Sequence, residues 1–109
     1  MDPGLSTTAR EEEGGVGVVR VAGELDIGTA GKLEAALEAI RASKPSRVLL
    51  EFEDVTFVDS SGLRVVVAAR RDFEKGGATL TIDGMTGAVQ QVFEVSGLLD
   101  SLAAPRDDD

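Results

Sequence analysis

Apolar and polar residues alternate along several stretches of the chain, and each such stretch predicts a β-strand. Three strands are predicted over residues 16–22, 47–53 and 78–83, with a last short one over 98–103. Residues 5–10 alternate only weakly, so they could pair with the first strand as a hairpin edge or remain a loose tail. The acidic residues and glycines at 11–15 predict a turn or loop.

Between these strands, apolar residues recur at the three- and four-residue spacing of a helix. The predicted helical faces are formed by Ala30, Leu33, Leu37 and Ile40, by Leu63, Val66, Val67 and Phe73, and by Val89, Val92 and Phe93. Asp26 or Thr29 could cap the first helix, and Thr86 could cap the third. The second helix is predicted over residues 61–75, because two glycines follow it as a stop signal.

Strands and helices are predicted to alternate, which indicates an α/β domain with a mixed, mostly parallel sheet of four or five strands. Because the strand at 78–83 has one polar face, we expect the helices mainly on one side of the sheet. The chain is expected to form a single domain over residues 1–109, with a core at about 16–103, an edge strand or tail at 1–15 and an acidic tail at 104–109.

The stretch from Phe57 to Leu63 joins the central strand to the second helix. It brings Asp59, two adjacent serines and Gly62 to a helix N-terminus, where free backbone N–H groups and the helix dipole favour an anion. Serine is also among the best N-cap residues, so the residues alone leave open whether a serine here caps the helix or carries chemistry. Residues 23–26 leave their own strand at the same edge, where α/β sheets tend to carry function.

The composition is typical of a soluble globular protein, with 42% hydrophobic and 28% charged residues. The formal net charge of −9 comes from 20 acidic and 11 basic residues. Six acids lie in two runs, at 11–13 and 107–109, and without them the chain carries 14 acidic against 11 basic residues. This balance disfavours direct binding to nucleic acid or to an anionic membrane, and it leaves room for a protein partner with a basic face.

Two residue types are absent from the chain, and each absence excludes a class of chemistry. Without histidine there is no Ser-His-Asp triad, and without cysteine there is no disulfide, thiol nucleophile or zinc–thiolate site. We therefore expect neither an enzyme nor a bound cofactor or metal. The longest apolar run is too short to span a bilayer, and the N-terminus lacks the features of a signal peptide, so a cytoplasmic protein is expected.

Several segments, in this order, resemble the anti-sigma factor antagonists, which are stand-alone STAS domains. The segments are Gly23-Glu24-Leu25-Asp26, residues 48–52, Phe57-Val58-Asp59-Ser60-Ser61-Gly62-Leu63, Gly76-Gly77 and residues 92–98. The resemblance implies that an anti-sigma factor, itself a serine kinase, phosphorylates Ser60. It also implies that the unmodified antagonist binds that anti-sigma factor and releases its sigma factor. A serine phosphatase would reset the switch, and the antagonist would be a monomer or weak dimer.

The same resemblance implies a partner-binding surface around the phosphoacceptor. The implied contact residues are Asp26, Asp59, Ser60, Ser61, Gly62 and Leu63. From the residues alone, Asp26 and Asp59 could instead be helix caps, and Gly62 could allow close approach either of the partner or of a neighbouring strand. We also hypothesise a division of roles in which Ser61 caps the helix and Ser60 lies just outside it.

The resemblance leaves a second function open. The domain could instead be a scaffold or sensory STAS module of a larger stress-signalling complex. The sequence also departs from the family in one place. Members usually continue into a further C-terminal helix, whereas Pro105 and an aspartate run stand at that place in this chain.

Overall fold

The computed structural model of the chain describes residues 4–96, which form one mixed sheet and its helices. The strands are β1 (Leu5–Glu12), β2 (Val16–Leu25), β3 (Arg47–Val58) and β4 (Thr79–Asp83), and the helices are α1 (Ala30–Arg41), α2 (Ser60–Lys75) and α3 (Gly87–Ser96). The sheet has the order β1-β2-β3-β4, with β1 antiparallel to β2 and the other pairs parallel. The predicted mixed, mostly parallel sheet is thus confirmed. The strand predicted at 98–103 and the acidic tail at 104–109 lie outside the described residues.

The N-terminal stretch is an edge strand rather than a tail, because β1 pairs with β2 along its whole length. The pairing continues to Glu12 opposite Val16, so the turn between the strands is shorter than the loop predicted at 11–15. Gly14 and Gly15 make this turn with φ angles of 84° and 75°. Glycine adopts such angles without a Cβ clash, so the chain reverses within a few residues, and Glu11 and Glu12 stay in the strand.

The buried core lies between the sheet and the helices, which pack on one face of the sheet. On β3, Val48, Leu50 and Phe52 are buried at alternate positions, as a strand with one buried face requires. The helices contribute Leu33, Leu37 and Ile40 from α1, Val66 and Phe73 from α2, and Val89 and Phe93 from α3. The rings of Phe52 and Phe93 meet edge to face, 6.5 Å apart, and join α3 to the central strand. Among the helices of residues 4–96, none has the length and apolar composition needed to cross a membrane.

The opposite face of the sheet carries ion pairs between neighbouring strands. Arg20 of β2 contacts Glu51, Glu53 and Asp54 of β3. Arg10 of β1 reaches Glu51, with 3.2 Å between Nη2 and Oε2. Apart from Glu51, these side chains are 45% to 55% exposed, so each pair contributes only about 0–1 kcal/mol. The face of the sheet away from the helices is therefore polar and solvent-exposed.

The C-terminal ends of β2 and β3 lie side by side. Leu25 pairs with Val58 in the parallel register, and the Asp59 N–H donates to the Leu25 carbonyl oxygen at 3.1 Å. Both strands end on buried side chains, after which β2 leads to Asp26 and β3 leads to Ser60. The two segments singled out by the sequence therefore meet at one edge, formed by the β2–α1 and β3–α2 junctions.

Candidate functional site

Asp59 caps helix α2. Its backbone is extended, with φ −109° and ψ −173°, which lets the side chain fold back over the first turn. Its Oδ1 accepts hydrogen bonds from the N–H groups of Ser61 at 2.8 Å and Gly62 at 3.2 Å. Its carbonyl oxygen accepts the first helical bond, from the N–H of Leu63 at 3.0 Å. The carboxylate thus satisfies two free N–H groups and lies at the positive end of the helix dipole.

The structure corrects the predicted start and the predicted cap of this helix. α2 begins at Ser60 rather than at residue 61, so the hypothesis that Ser60 lies outside the helix and Ser61 caps it is wrong. The physical reason is that the Asp59 carboxylate, one residue earlier, reaches the N–H groups that a serine hydroxyl would otherwise bond. The alternative in which Asp59 serves as a helix cap is confirmed.

Ser60 is the first residue of α2, and its side chain is exposed, whereas Ser61 is half-buried. Within the described residues 4–96, no hydrogen bond holds the Ser60 hydroxyl. The bonds of the Asp59 cap also bypass it, since they run to the two residues that follow. A group added to the Ser60 oxygen would therefore leave the cap intact.

Gly62 is buried where the first turn of α2 crosses the end of β2. A Cβ atom built on Gly62 would lie 2.5 Å from the Cγ of Leu25 and 3.0 Å from the Leu25 carbonyl oxygen. Both distances are shorter than ordinary packing contacts. The neighbouring strand therefore requires glycine here, which is one of the two predicted alternatives. Leu63 beside it is half-buried and packs against the core, so the fold already uses part of its apolar surface.

Asp26 organises the turn between β2 and α1. Its Oδ1 accepts hydrogen bonds from the N–H groups of Gly28 at 3.0 Å and Thr29 at 3.1 Å. Its carbonyl oxygen accepts from the N–H of Ala30 at 2.8 Å. Thr29 directly precedes α1 but makes no side-chain cap bond, because its buried hydroxyl donates to the Glu24 carbonyl oxygen at 2.7 Å. Of the two residues predicted as possible caps, Asp26 is the one whose carboxylate accepts hydrogen bonds from the N–H groups that precede α1.

Two carboxylates and an exposed hydroxyl therefore share the edge formed by the ends of β2 and β3. Asp26 follows Leu25 directly, and the backbone bond from Asp59 to Leu25 holds the two junctions together. Residues 4–96 contain no group of three or more acidic side chains able to hold a metal ion. Because the chain has no histidine, the Ser60 hydroxyl lacks the commonest general base.

Two exposed apolar side chains flank this edge. Ile27 follows Asp26 and is 82% exposed, and Phe57 precedes Val58 and is 49% exposed. In residues 4–96 the only other large hydrophobic side chain so exposed is Val95, on α3. The sequence predicts Phe57 only as the start of the stretch that leads to the serines, beyond the strand at 47–53, and it does not single out Ile27. The available signal was an isoleucine between an aspartate and a glycine in the turn that joins β2 to α1, where a side chain is not expected to reach the core. Exposed apolar area beside polar groups is typical of a protein-binding surface.

Asp59→Ala is expected to lower the free energy of unfolding by about 1 kcal/mol, because two helical N–H groups lose their acceptor. For a chain of this size the midpoint of thermal unfolding should fall by about 4–8 °C. Asp59→Asn is the matched control, since asparagine caps as well as aspartate. Thermal unfolding followed by circular dichroism measures both variants. An alanine variant as stable as the asparagine variant would contradict the assignment of the cap.

Comparison with known proteins shows which family the chain belongs to. The family model described as STAS domain matches residues 7–107, and the chain therefore belongs to the STAS domain family. Its curated relatives include anti-sigma factor antagonists. Over 82 residues the chain is 32% identical to the anti-sigma-B factor antagonist of Staphylococcus aureus, an alignment that covers 75% of this chain and 76% of the relative.

Solved structures show the same likeness. The chain is similar to the crystal structure of an anti-sigma factor antagonist from Mycobacterium paratuberculosis, with a TM-score of 0.82, 28% identity, and coverage of 96% of this chain and 89% of that one. It shares its fold with the phosphorylated form of the Bacillus cell fate determinant SpoIIAA, with a TM-score of 0.71, 23% identity, and coverage of 94% of each chain. The resemblance to anti-sigma factor antagonists drawn from the motifs is thus confirmed.

Proposed function

We propose that the protein is an anti-sigma factor antagonist that works by partner switching. In its unphosphorylated form it binds an anti-sigma factor that is also a serine kinase, and this binding releases the sigma factor in the cytoplasm. The kinase phosphorylates Ser60, which ends the binding, and a serine phosphatase restores the starting form. The observation that carries the proposal is the exposed Ser60 hydroxyl at the first residue of α2, in a chain 32% identical to an anti-sigma-B factor antagonist.

The geometry favours Ser60 over Ser61 as the phosphoacceptor. Ser60 is exposed, whereas Ser61 is half-buried and its N–H donates to Asp59 at 2.8 Å. A kinase must bring the γ-phosphate of ATP in line with the attacking oxygen, and it can do so only at a hydroxyl open to solvent. The protein is therefore the substrate of the kinase rather than an enzyme.

The switch acts through charge. Phosphorylation adds about −1.5 to −2 charges at pH 7, and these would lie next to Asp59 and at the same edge as Asp26. Two unit charges about 4 Å apart interact by up to roughly 4 kcal/mol near a protein surface and by about 1 kcal/mol in bulk water. Since 1.4 kcal/mol is about tenfold in affinity, an acidic or closely packed partner surface that faces Ser60 would lose roughly one to three decades of binding.

The fold is expected to survive this modification. The cap of α2 is made by Asp59 and does not involve the Ser60 side chain, and a helix N-terminus favours a nearby anion. The phosphorylated form of SpoIIAA has the fold of this chain, with a TM-score of 0.71. Phosphorylation would therefore change the interface and leave the scaffold intact.

The contact surface combines the predicted residues with the apolar pair that flanks them. Asp26 and Asp59 supply negative charge next to Ser60, while Ile27 and Phe57 supply apolar area. The partner would therefore pack an apolar, uncharged surface closely against Ser60, and basic groups that match the formal net charge of −9 would lie farther from Ser60. Such charge complementarity raises the rate of association and falls with added salt.

Incubation with the purified anti-sigma factor kinase and ATP is expected to add one phosphate to the protein. Ser60→Ala should receive none, and Ser61→Ala should receive one, because only the first serine is exposed at the start of α2. Intact-protein mass spectrometry measures the added mass, and fragmentation locates it. A phosphate lost in Ser61→Ala but kept in Ser60→Ala would show that the assignment is wrong.

Ser60→Ala also provides the means to find the kinase. It keeps the unphosphorylated surface permanently, so it should hold the anti-sigma factor where the unmodified protein would release it. Affinity capture with Ser60→Ala, followed by identification of the bound kinase, supplies the partner for the phosphorylation assay. Capture that yields no serine kinase would count against the proposed function.

A further inference from the structure

Arg64 is an exposed cation on the first turns of α2, four residues after Ser60. Several other arginines of the described chain are held in ion pairs, namely Arg10, Arg20, Arg41 and Arg70. Within residues 4–96, Arg64 has no ion pair or hydrogen bond to its side chain. Its guanidinium is therefore available to an anion that arrives later.

The helical spacing places Arg64 on the same side of α2 as Ser60. Residues four apart lie on the same side of a helix, with about 5–6 Å between their Cβ atoms. Side chains of a helix lean towards its N-terminus, so the long arginine side chain extends back over the preceding turn. In the other direction its helical neighbours are Val67 and Ala68, which offer no charge. The groups within its reach along α2 are thus the two serines.

We propose that Arg64 binds the phosphate carried by Ser60 and holds it along the first turn of α2. The proposal rests on the proposed function for the origin of that phosphate. An anion at one position and a cation four residues later is the favourable order for a helical ion pair. A guanidinium can also donate two parallel hydrogen bonds to phosphate oxygens. Arg64 would be a positioning residue for the modified state.

Two acids at this edge act in the opposite sense. Asp59 directly precedes Ser60, and Asp26 lies on the adjacent junction. Both disfavour a second negative charge on the phosphate and therefore raise its second pKa, which lies near 6 for a free phosphoserine. Arg64 favours the dianion and lowers that pKa. Its removal should therefore shift the titration of the phosphate upwards.

The test uses protein with phosphoserine inserted at position 60 during synthesis, so that no kinase is needed. Phosphorus NMR over a pH series measures the second pKa of the phosphate. Arg64→Gln is expected to raise this pKa by about 0.3 units, the shift that a helical ion pair of about 0.2–0.5 kcal/mol produces. Arg64→Lys should restore most of the shift, because the positive charge remains. Arg71→Gln is the matched control, since Arg71 is also exposed on α2 but lies far from Ser60.

An unchanged phosphate pKa in Arg64→Gln, or an equal shift in Arg71→Gln, would overturn the proposal. Failure of the proposed function would look different. The phosphoprotein would then still bind the anti-sigma factor, or the kinase would leave Ser60 unmodified, whatever the titration showed. The two outcomes are therefore read from separate measurements.

Discussion

Ser60→Asp is expected to bind the anti-sigma factor at least roughly tenfold more weakly than Ser60→Ala, and the phosphorylated protein up to roughly 1,000-fold more weakly. The aspartate places one negative charge where the phosphate would place nearly two. That charge would join Asp59 and Asp26 at the edge where, in the proposed function, the partner packs against a neutral hydroxyl. Ser60→Ala removes only the hydroxyl and should bind as the unphosphorylated protein does.

Titration calorimetry with the purified anti-sigma factor measures both affinities directly. Ser46→Asp is the matched control, because Ser46 is exposed and precedes β3, at the opposite end of that strand from Ser60. It adds the same charge to the same protein and should leave the affinity unchanged. Equal binding by Ser60→Asp and Ser60→Ala would exclude a switch based on charge. A loss of binding in Ser46→Asp would instead point to net charge rather than to the site.

The elements that depend on local periodicity could be predicted from the sequence. The alternation of Val48, Leu50 and Phe52 is that of a strand with one buried face, and these residues are buried in β3. The helices likewise follow the apolar spacing, because a helix must bury one stripe of its surface. The edge that carries Ser60 followed from the same pattern, since parallel strands run in the same direction and place their C-terminal ends at one edge of the sheet.

Features that depend on contacts distant in sequence could not be predicted in this way. The weak alternation of β1 did not show whether a neighbouring strand would pair with it, and only its bonds to β2 decide that. The cap of α2 was ambiguous because aspartate and serine cap almost equally well. In the structure Asp59 has an extended backbone and its side chain makes the cap. Its N–H is bonded to the Leu25 carbonyl oxygen of β2, a contact between residues far apart in the sequence. Ile27 was missed because burial is a property of the whole fold.

Gly62→Ala is expected to lower the free energy of unfolding by about 1–3 kcal/mol, the usual cost of adding a methyl group to a filled core. The new Cβ would lie 2.5 Å from the Cγ of Leu25 and 3.0 Å from its carbonyl oxygen. The leucine side chain can turn away, but the carbonyl belongs to β2 and cannot. The first turn of α2 must then shift, and it carries Ser60 with it.

Gly31→Ala is the matched control, because Gly31 is also helical but a Cβ there would meet nothing within 4 Å. It should stabilise the protein by about 0.5–1 kcal/mol through its better helix propensity. Chemical denaturation of both variants therefore gives changes of opposite sign if the contact with Leu25 is the cause. Adding Leu25→Ala to Gly62→Ala should cost less than the sum of the two single changes, because the side-chain clash is relieved. A stabilised Gly62→Ala would show that α2 does not depend on this close approach to hold Ser60 at the edge.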